Sequence, residues 1–134
     1  MKGLIPVVAF ALLLAHSCSY RADPVQPFSP FDLDESVDGK LLTFDTGQSF
    51  TLTLECWGDA GYMWECQIGD TVIISQKGDP KYTTSYPGKV GGVWIVTFTF
   101  LVKQSGQTAI RLDERRLWLN EPPLSTVNFI VYVP

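Results

Sequence analysis

Apolar and polar residues alternate in short segments from Lys40 to the C-terminus, a pattern that predicts half-buried β-strands. The alternation is clearest over residues 49–56 and 125–133. The apolar positions of these two segments are Phe50, Leu52, Leu54, Cys56, Val127, Phe129, Val131 and Val133. No segment keeps a helical period over several turns, so we expect an all-β fold.

The predicted strands cover residues 40–44, 49–56, 62–68, 71–75, 93–102, 107–116 and 125–133. About seven short strands in a segment of this length predict an immunoglobulin-like antiparallel β-sandwich. An early-strand tryptophan often fills the core of such sandwiches, so Trp64 is assigned to the core.

The connections between these strands are of two kinds. Residues 45–47, 69–70 and 104–106 form tight turns, because they carry the glycine or aspartate that short turns favour. Residues 57–61, 76–92 and 117–124 form long loops. If successive strands run up and down, tight and long connections alternate between the two ends. All three long loops then lie at one end, which predicts a recognition surface there.

The N-terminal region differs in composition from the strands. Residues 1–18 are typical of a signal peptide, and residues 19–39 form an extended or disordered leader rich in proline. The domain then covers residues 40–134. The signal peptide predicts export of the protein to an extracellular, periplasmic or endolysosomal compartment. Cys18 leaves two alternatives open, ordinary cleavage beside it or a lipid anchor on it that would hold the protein at a membrane.

Composition narrows the chemistry. The net charge of −4 argues against nucleic acid as a partner. The single histidine is His16, inside the predicted signal peptide, so the mature domain lacks the imidazole of a nucleophilic triad or zinc site. We expect no metal, no cofactor and no small-molecule substrate. One enzymatic alternative remains, a pair of carboxylates acting on a carbohydrate, with Asp59, Glu114 and Glu121 as candidates.

Three short motifs stand in the long loops. The first ends in Gly61, Tyr62 and Trp64; the second contains Gly91, Gly92 and Trp94; the third contains Arg116, Leu117 and Trp118 after a strand begun by Gly106. In order and spacing these motifs resemble those of chagasin-type inhibitors of papain-like cysteine peptidases. The resemblance covers about residues 40–133.

Three departures from the family pattern are visible. Trp57, Gly58, Asp59 and Ala60 replace the family's Asn-Pro-Thr-Thr, Leu117 replaces the proline of its Arg-Pro-Trp motif, and Glu114 stands where the family usually has tyrosine. The resemblance implies a monomeric, reversible, tight-binding inhibitor that inserts the three loops into the cleft of a papain-like cysteine peptidase. The implied peptidase-binding residues are Trp57, Gly58, Asp59, Ala60, Gly61, Tyr62, Gly91, Gly92, Trp94, Arg116, Leu117 and Trp118.

Two questions stay open at this point. Cys56 and Cys66 flank the first loop on inward faces, and they either form a disulfide or remain two buried thiols. The loop end of an immunoglobulin-like domain also suits a surface adhesion or binding module whose partner is not a peptidase. Inhibition of a papain-like peptidase would separate the two functions.

Overall fold

Nine strands in two facing sheets make up the computed structural model, which describes residues 31–84, 88 and 91–134. The strands are β1 (Asp32–Leu33), β2 (Leu41–Thr43), β3 (Ser49–Cys56), β4 (Met63–Ile68), β5 (Ile74–Gln76), β6 (Lys81–Thr84), β7 (Trp94–Val102), β8 (Gly106–Arg115) and β9 (Ser125–Val133). Short 3₁₀ turns cover Glu35–Val37 and Gly58–Ala60. Within this part of the chain, no helix has the length and apolar character needed to cross a membrane.

The predicted all-β sandwich is confirmed, but two strand pairs are parallel where an antiparallel fold was predicted. One sheet has the order β1-β3-β7-β5, with β6 also paired to β7, and the other has the order β2-β9-β8-β4. Most pairs are antiparallel, whereas β1 runs parallel to β3 and β2 parallel to β9. The sheets are therefore mixed, because the N-terminal segment lies along an edge of each sheet in turn.

The alternating residues of β3 and β9 face the core as predicted. The inward positions of both strands are buried, from Phe50 to Cys56 and from Val127 to Val133. Phe50 lies between two other aromatic rings, with its centroid 4.3 Å from that of Phe44 and 5.0 Å from that of Phe100. Burying a phenylalanine side chain stabilises a fold by about 1.5–3 kcal/mol, so this stack is a main source of stability.

The sandwich begins before Lys40, at residues that the sequence assigns to the leader. The carbonyl oxygen of Phe31 accepts a hydrogen bond from the Thr51 amide at 2.7 Å, and Val37 is buried. Both are isolated apolar residues whose partners lie far along the chain, so no short-range pattern marks them. The predicted signal peptide, Cys18 and the leader up to residue 30 lie outside the described residues.

The loop predicted for residues 76–92 contains an additional strand. β6 pairs with β7 from Lys81 opposite Thr97 to Thr84 opposite Trp94, and β5 pairs farther along the same side of β7. Pro80 stands immediately before β6, and a proline cannot donate a hydrogen bond to a sheet. The edge of this sheet is therefore made of two short strands, β5 and β6. A strand of four residues that follows a proline has too weak a sequence pattern to be predicted.

A tyrosine of this missed strand connects the two sheets. The hydroxyl oxygen of Tyr82 accepts a hydrogen bond from the backbone amide of Trp64 at 3.3 Å. The Trp64 ring is buried, and its indole N–H donates to the Glu55 carbonyl oxygen at 2.8 Å. The assignment of Trp64 to the core is thereby confirmed.

Cys56 is a buried free thiol and Cys66 a partly buried one, an arrangement that agrees with the second of the two alternatives that the sequence left open. They lie in opposite sheets, and the Cys56 thiol donates a hydrogen bond to the Tyr62 carbonyl oxygen at 3.1 Å. Burial, with a smaller contribution from the nearby Glu114 charge, raises the pKa of Cys56 to about 11. Burial raises the pKa of Cys66 to about 12.

Both thiols should resist alkylation in the folded protein. Only the thiolate attacks an alkylating reagent, and these raised pKa values keep its population very small at pH 8. We expect peptide mapping by mass spectrometry to find Cys56 and Cys66 unmodified in native protein and fully modified in denaturant without reductant. A requirement for reductant before the denatured protein reacts would show a disulfide instead.

Candidate functional site

The three long loops lie at one end of the sandwich, as the alternation of tight and long connections predicts. We call residues 57–62 loop 1, residues 85–93 loop 2 and residues 116–124 loop 3; of loop 2, residues 88 and 91–93 are described. Strand register places them together, because Cys56 pairs with Trp94 and Met63 pairs with Arg115. This end of the molecule, with its three loops, is called the loop end below.

Loop 1 is a compact turn closed by its own backbone. The carbonyl oxygen of Trp57 accepts hydrogen bonds from the amides of Ala60 at 3.1 Å and Tyr62 at 3.2 Å. Gly61 ends the 3₁₀ turn with φ at 85°, in the left-handed region that glycine adopts without strain. Its amide donates to the carbonyl oxygen of Gly58 at 2.9 Å, so the loop keeps its shape without a side-chain cap.

Asp59 joins loop 1 to loop 2. Its Oδ2 accepts hydrogen bonds from the amides of Gly91 at 2.6 Å and Gly92 at 3.2 Å, and its Oδ1 accepts one from the Trp94 indole at 2.9 Å. The bond from Trp94 and then the bond from Gly91 lower the pKa of this carboxyl group. Asp59 therefore carries its charge at neutral pH and holds two amides of loop 2 together with the indole of Trp94, the first residue of β7.

Two glycines of loop 1 leave room for the indole rings of Trp94, at the start of β7, and Trp118, in loop 3. A Cβ on Gly58 would lie 2.6 Å from Cδ1 of Trp94, and a Cβ on Gly61 would lie 2.9 Å from Cζ2 of Trp118. Such distances are well below van der Waals contact. Any larger residue at either position would displace a tryptophan, so the glycines permit close packing of the three loops.

Arg116 is held by its own neighbours. Its guanidinium donates to Oε2 of Glu121 at 2.7 Å and lies 5.1 Å from the centre of the Tyr62 ring. The hydrogen bond to Glu121 raises the pKa of Arg116. The guanidinium therefore lies over Tyr62 of loop 1. Arg116 thus fastens loop 3 to the end of loop 1.

Glu114 was missed as a residue that shapes the site. Its side chain is buried, and its Oε1 accepts a hydrogen bond from the Trp57 amide at 3.0 Å. Its carbonyl oxygen accepts one from the Leu124 amide at 2.8 Å, at the far end of loop 3. The sequence did hold a signal, because Glu114 continues the inward alternation of Ile110 and Leu112 along β8.

The three carboxylates considered for carbohydrate chemistry are all engaged in holding loops. Asp59 bonds to loop 2, Glu114 bonds to the start of loop 1, and Glu121 bonds to Arg116. Among the described residues no cluster of metal-binding side chains occurs. The hydrogen bonds of the three carboxylates account for their positions at the loop end. These bonds do not assign them a role in a reaction.

Large apolar side chains are exposed at the loop end. Trp118 is 67% exposed, Trp57 52% and Leu117 51%. The contacts described above fix the backbone of the loops that carry these side chains, so the exposed residues project from a rigid surface. Exposed aromatic residues on a rigid surface are typical of the positions that dominate binding to another protein.

Comparison with known proteins agrees with this geometry. A model of the chagasin family peptidase inhibitor I42 matches residues 43–133. Among solved structures, the cysteine protease inhibitor EhICP2 from Entamoeba histolytica is 23% identical, with a TM-score of 0.68 over 77% of this chain and 94% of that one. A search of curated proteins found no match.

Two further solved structures share the fold. The solution structure of Amebosin is 22% identical, with a TM-score of 0.65 over 77% of this chain and 96% of that one. PbICP-C, solved in complex with falcipain-2, is 16% identical, with a TM-score of 0.52 over 76% of this chain and 96% of that one. At these identities the likeness establishes the sandwich architecture.

Gly61→Ala should displace Trp118 as well as strain the backbone. Gly47→Ala is the matched control, because Gly47 has φ at 90° but open space around its Cβ position. Each substitution should cost about 1–2 kcal/mol in left-handed strain. We expect Gly61→Ala alone to change tryptophan fluorescence and to lose further stability in denaturant unfolding. Equal losses and unchanged fluorescence for both variants would contradict the close packing of Trp118 on loop 1.

Proposed function

Since the chain belongs to the chagasin family of peptidase inhibitors and inhibits papain-like cysteine peptidases rather than acting as an enzyme, we propose that it does so by inserting its loop end into their active-site cleft. The observation that carries this proposal is that loop 1 contacts loop 2 through Asp59 and loop 3 through Tyr62, while Trp57, Leu117 and Trp118 remain exposed beside them. EhICP2 is itself described as a cysteine protease inhibitor, and PbICP-C was solved bound to falcipain-2.

Loop 1 suits the catalytic centre because it is already folded on itself. Its peptide groups are hydrogen-bonded within a turn, so it offers no extended segment for cleavage. Loops 2 and 3 stand on either side of it and contact the cleft walls, with glycine backbone from one side and Leu117 and Trp118 from the other. The blockade is reversible and needs no covalent step.

Rigidity is the energetic advantage of this arrangement. Ordering flexible loops on binding costs free energy, and that cost falls when contacts within the free inhibitor already fix them. Peptidase and inhibitor pairs typically bury about 1,600 Å² in total, an area that three converging loops can supply. A monomer suffices, since one copy carries the whole surface.

Trp118→Ala should weaken inhibition of a papain-like peptidase at least about tenfold. Removing an exposed aromatic anchor at the centre of an interface costs about 2 kcal/mol or more, and about 1.4 kcal/mol corresponds to a factor of ten. The measurement is the inhibition constant against papain and a cathepsin.

Tyr132→Ala is the matched control for this variant. Tyr132 is a 42% exposed aromatic residue near the C-terminal end of β9, at the end of the sandwich opposite the loop end. Its removal should therefore leave the inhibition constant unchanged. Equal inhibition by wild type and Trp118→Ala would refute the assignment of loop 3. A folded wild type that inhibits no papain-like peptidase would favour the adhesion module with a non-peptidase partner.

Export is the second part of the proposal, supported by the signal-like pattern of residues 1–18. Expression of the full chain in a secreting host should yield a product that lacks this segment. Intact mass measures the outcome, because cleavage near Ser17 or Ser19 gives an unmodified N-terminus, whereas a lipid on Cys18 adds the mass of its acyl chains. An uncleaved product retained in the cytoplasm would refute export.

A further inference from the structure

Two described residues of loop 2, Gly91 and Gly92, donate their amides to Asp59 of loop 1. Loop 2 follows β6 and carries Gly88, Gly91 and Gly92, and glycines lose more conformational freedom than other residues when they are fixed. Gly91 also has φ at 87°, a conformation that most residues avoid. A loop of this composition needs an external contact to keep one shape.

That contact comes from one carboxylate. Among the described residues, the hydrogen bonds between loops 1 and 2 both end on Asp59, which accepts from the amides of Gly91 and Gly92. Asp59 also accepts from the indole of Trp94, which directly follows loop 2. Hydrogen bonds to an ionised acceptor are roughly twice as strong as neutral ones. Two successive amides directed at one oxygen fix the direction of the loop 2 backbone as well as its distance from loop 1.

We infer that Asp59 is a positioning residue, whose carboxylate holds the glycine-rich loop 2 against loop 1 so that both loops reach the peptidase as one preformed surface. This inference rests on the proposed function. We call the contact of Asp59 with Gly91, Gly92 and Trp94 the Asp59 bridge. It acts within the inhibitor and not on the peptidase.

The kinetic consequence follows from this location. Without the bridge, the segment of Gly91 and Gly92 samples other conformations, and only the fraction of molecules in the correct one can bind. The association rate constant should therefore fall in proportion to that fraction. Dissociation should change little, because the contacts made in the finished complex are the same. Direct contact of Asp59 with the peptidase would instead change the dissociation rate.

The bridge also has a defined pH range. Because its hydrogen bonds lower the folded-state pKa of Asp59, its contribution is fully present above the ordinary value of 3.8 and is lost as the pH falls through the lowered value. Trp57, Ala60, Gly91 and Gly92 line the hollow around this carboxylate, and none of them titrates in this range. The bridge therefore stays closed in a mildly acidic compartment.

Asp59→Ala, studied in the full domain, tests the role in binding. Asp45→Ala is the matched control, since Asp45 is an exposed aspartate of a tight turn whose carboxylate makes no hydrogen bond among the described residues. We expect Asp59→Ala to lower the association rate constant with papain at least about tenfold, with a dissociation rate within about threefold of wild type. The association rate constant of Asp59→Asn should lie between those of Asp59→Ala and the control Asp45→Ala. The asparagine side chain keeps one acceptor oxygen, but its NH2 group faces N–H donors and cannot accept from them.

Nuclear magnetic resonance tests the bridge without a peptidase. The chemical shifts of the Gly91 and Gly92 amide protons and of the Trp94 indole proton should change together as Asp59 is titrated in wild type, with one midpoint below pH 3.8. They should not do so in Asp59→Ala, whose fold is checked by denaturant unfolding. Absence of this shared titration in wild type would overturn the bridge.

The kinetic arms have equally clear outcomes. Association by Asp59→Ala at the rate of Asp45→Ala would overturn the positioning role, as would a faster dissociation with unchanged association. Failure of wild type itself to inhibit would overturn the proposed function and with it the role of Asp59 in binding. The resonance titration would still decide whether the bridge exists.

Discussion

The close approach of two indole rings to the backbone of loop 1 is the contact on which the loop end depends. Trp94 lies against Gly58 and Trp118 against Gly61, so the central loop is narrow where its neighbours pack. Because loop 1 is narrow at these points, Asp59 also contacts loop 2, and Tyr62 contacts loop 3. Without the two glycines the three loops would stand apart, and each would have to be ordered separately on binding.

Charged residues at the loop end act mainly inside the protein. Asp59 and Glu114 each accept hydrogen bonds from backbone amides, and Arg116 pairs with Glu121. The polar groups thus fix geometry, while apolar side chains such as Trp57 and Trp118 remain exposed. This division agrees with interfaces in which a few aromatic residues supply most of the binding energy and their surroundings supply shape.

The sequence predicted the features that rest on local pattern. Strict alternation placed the inward residues of β3 and β9, and the order of tight and long connections placed all three loops at one end. Features that depend on distant partners were not predictable in this way: Phe31 is partly buried and Val37 is buried, both against residues far along the chain, and β6 is short and follows a proline. The acceptor role of Asp59 likewise depends on amides more than thirty residues away.

The interrupted edge formed by β5 and β6 has a consequence for solubility at high concentration. An exposed strand edge is a template on which another chain can add and begin a fibril. Here the edge is broken between Gln76 and Lys81, β1 and β2 are only two and three residues long, and the amide of Trp64 in β4 is already bonded to Tyr82. Over the described residues, the sheet edges are thus short, interrupted or partly bonded, and these features disfavour edge-to-edge aggregation.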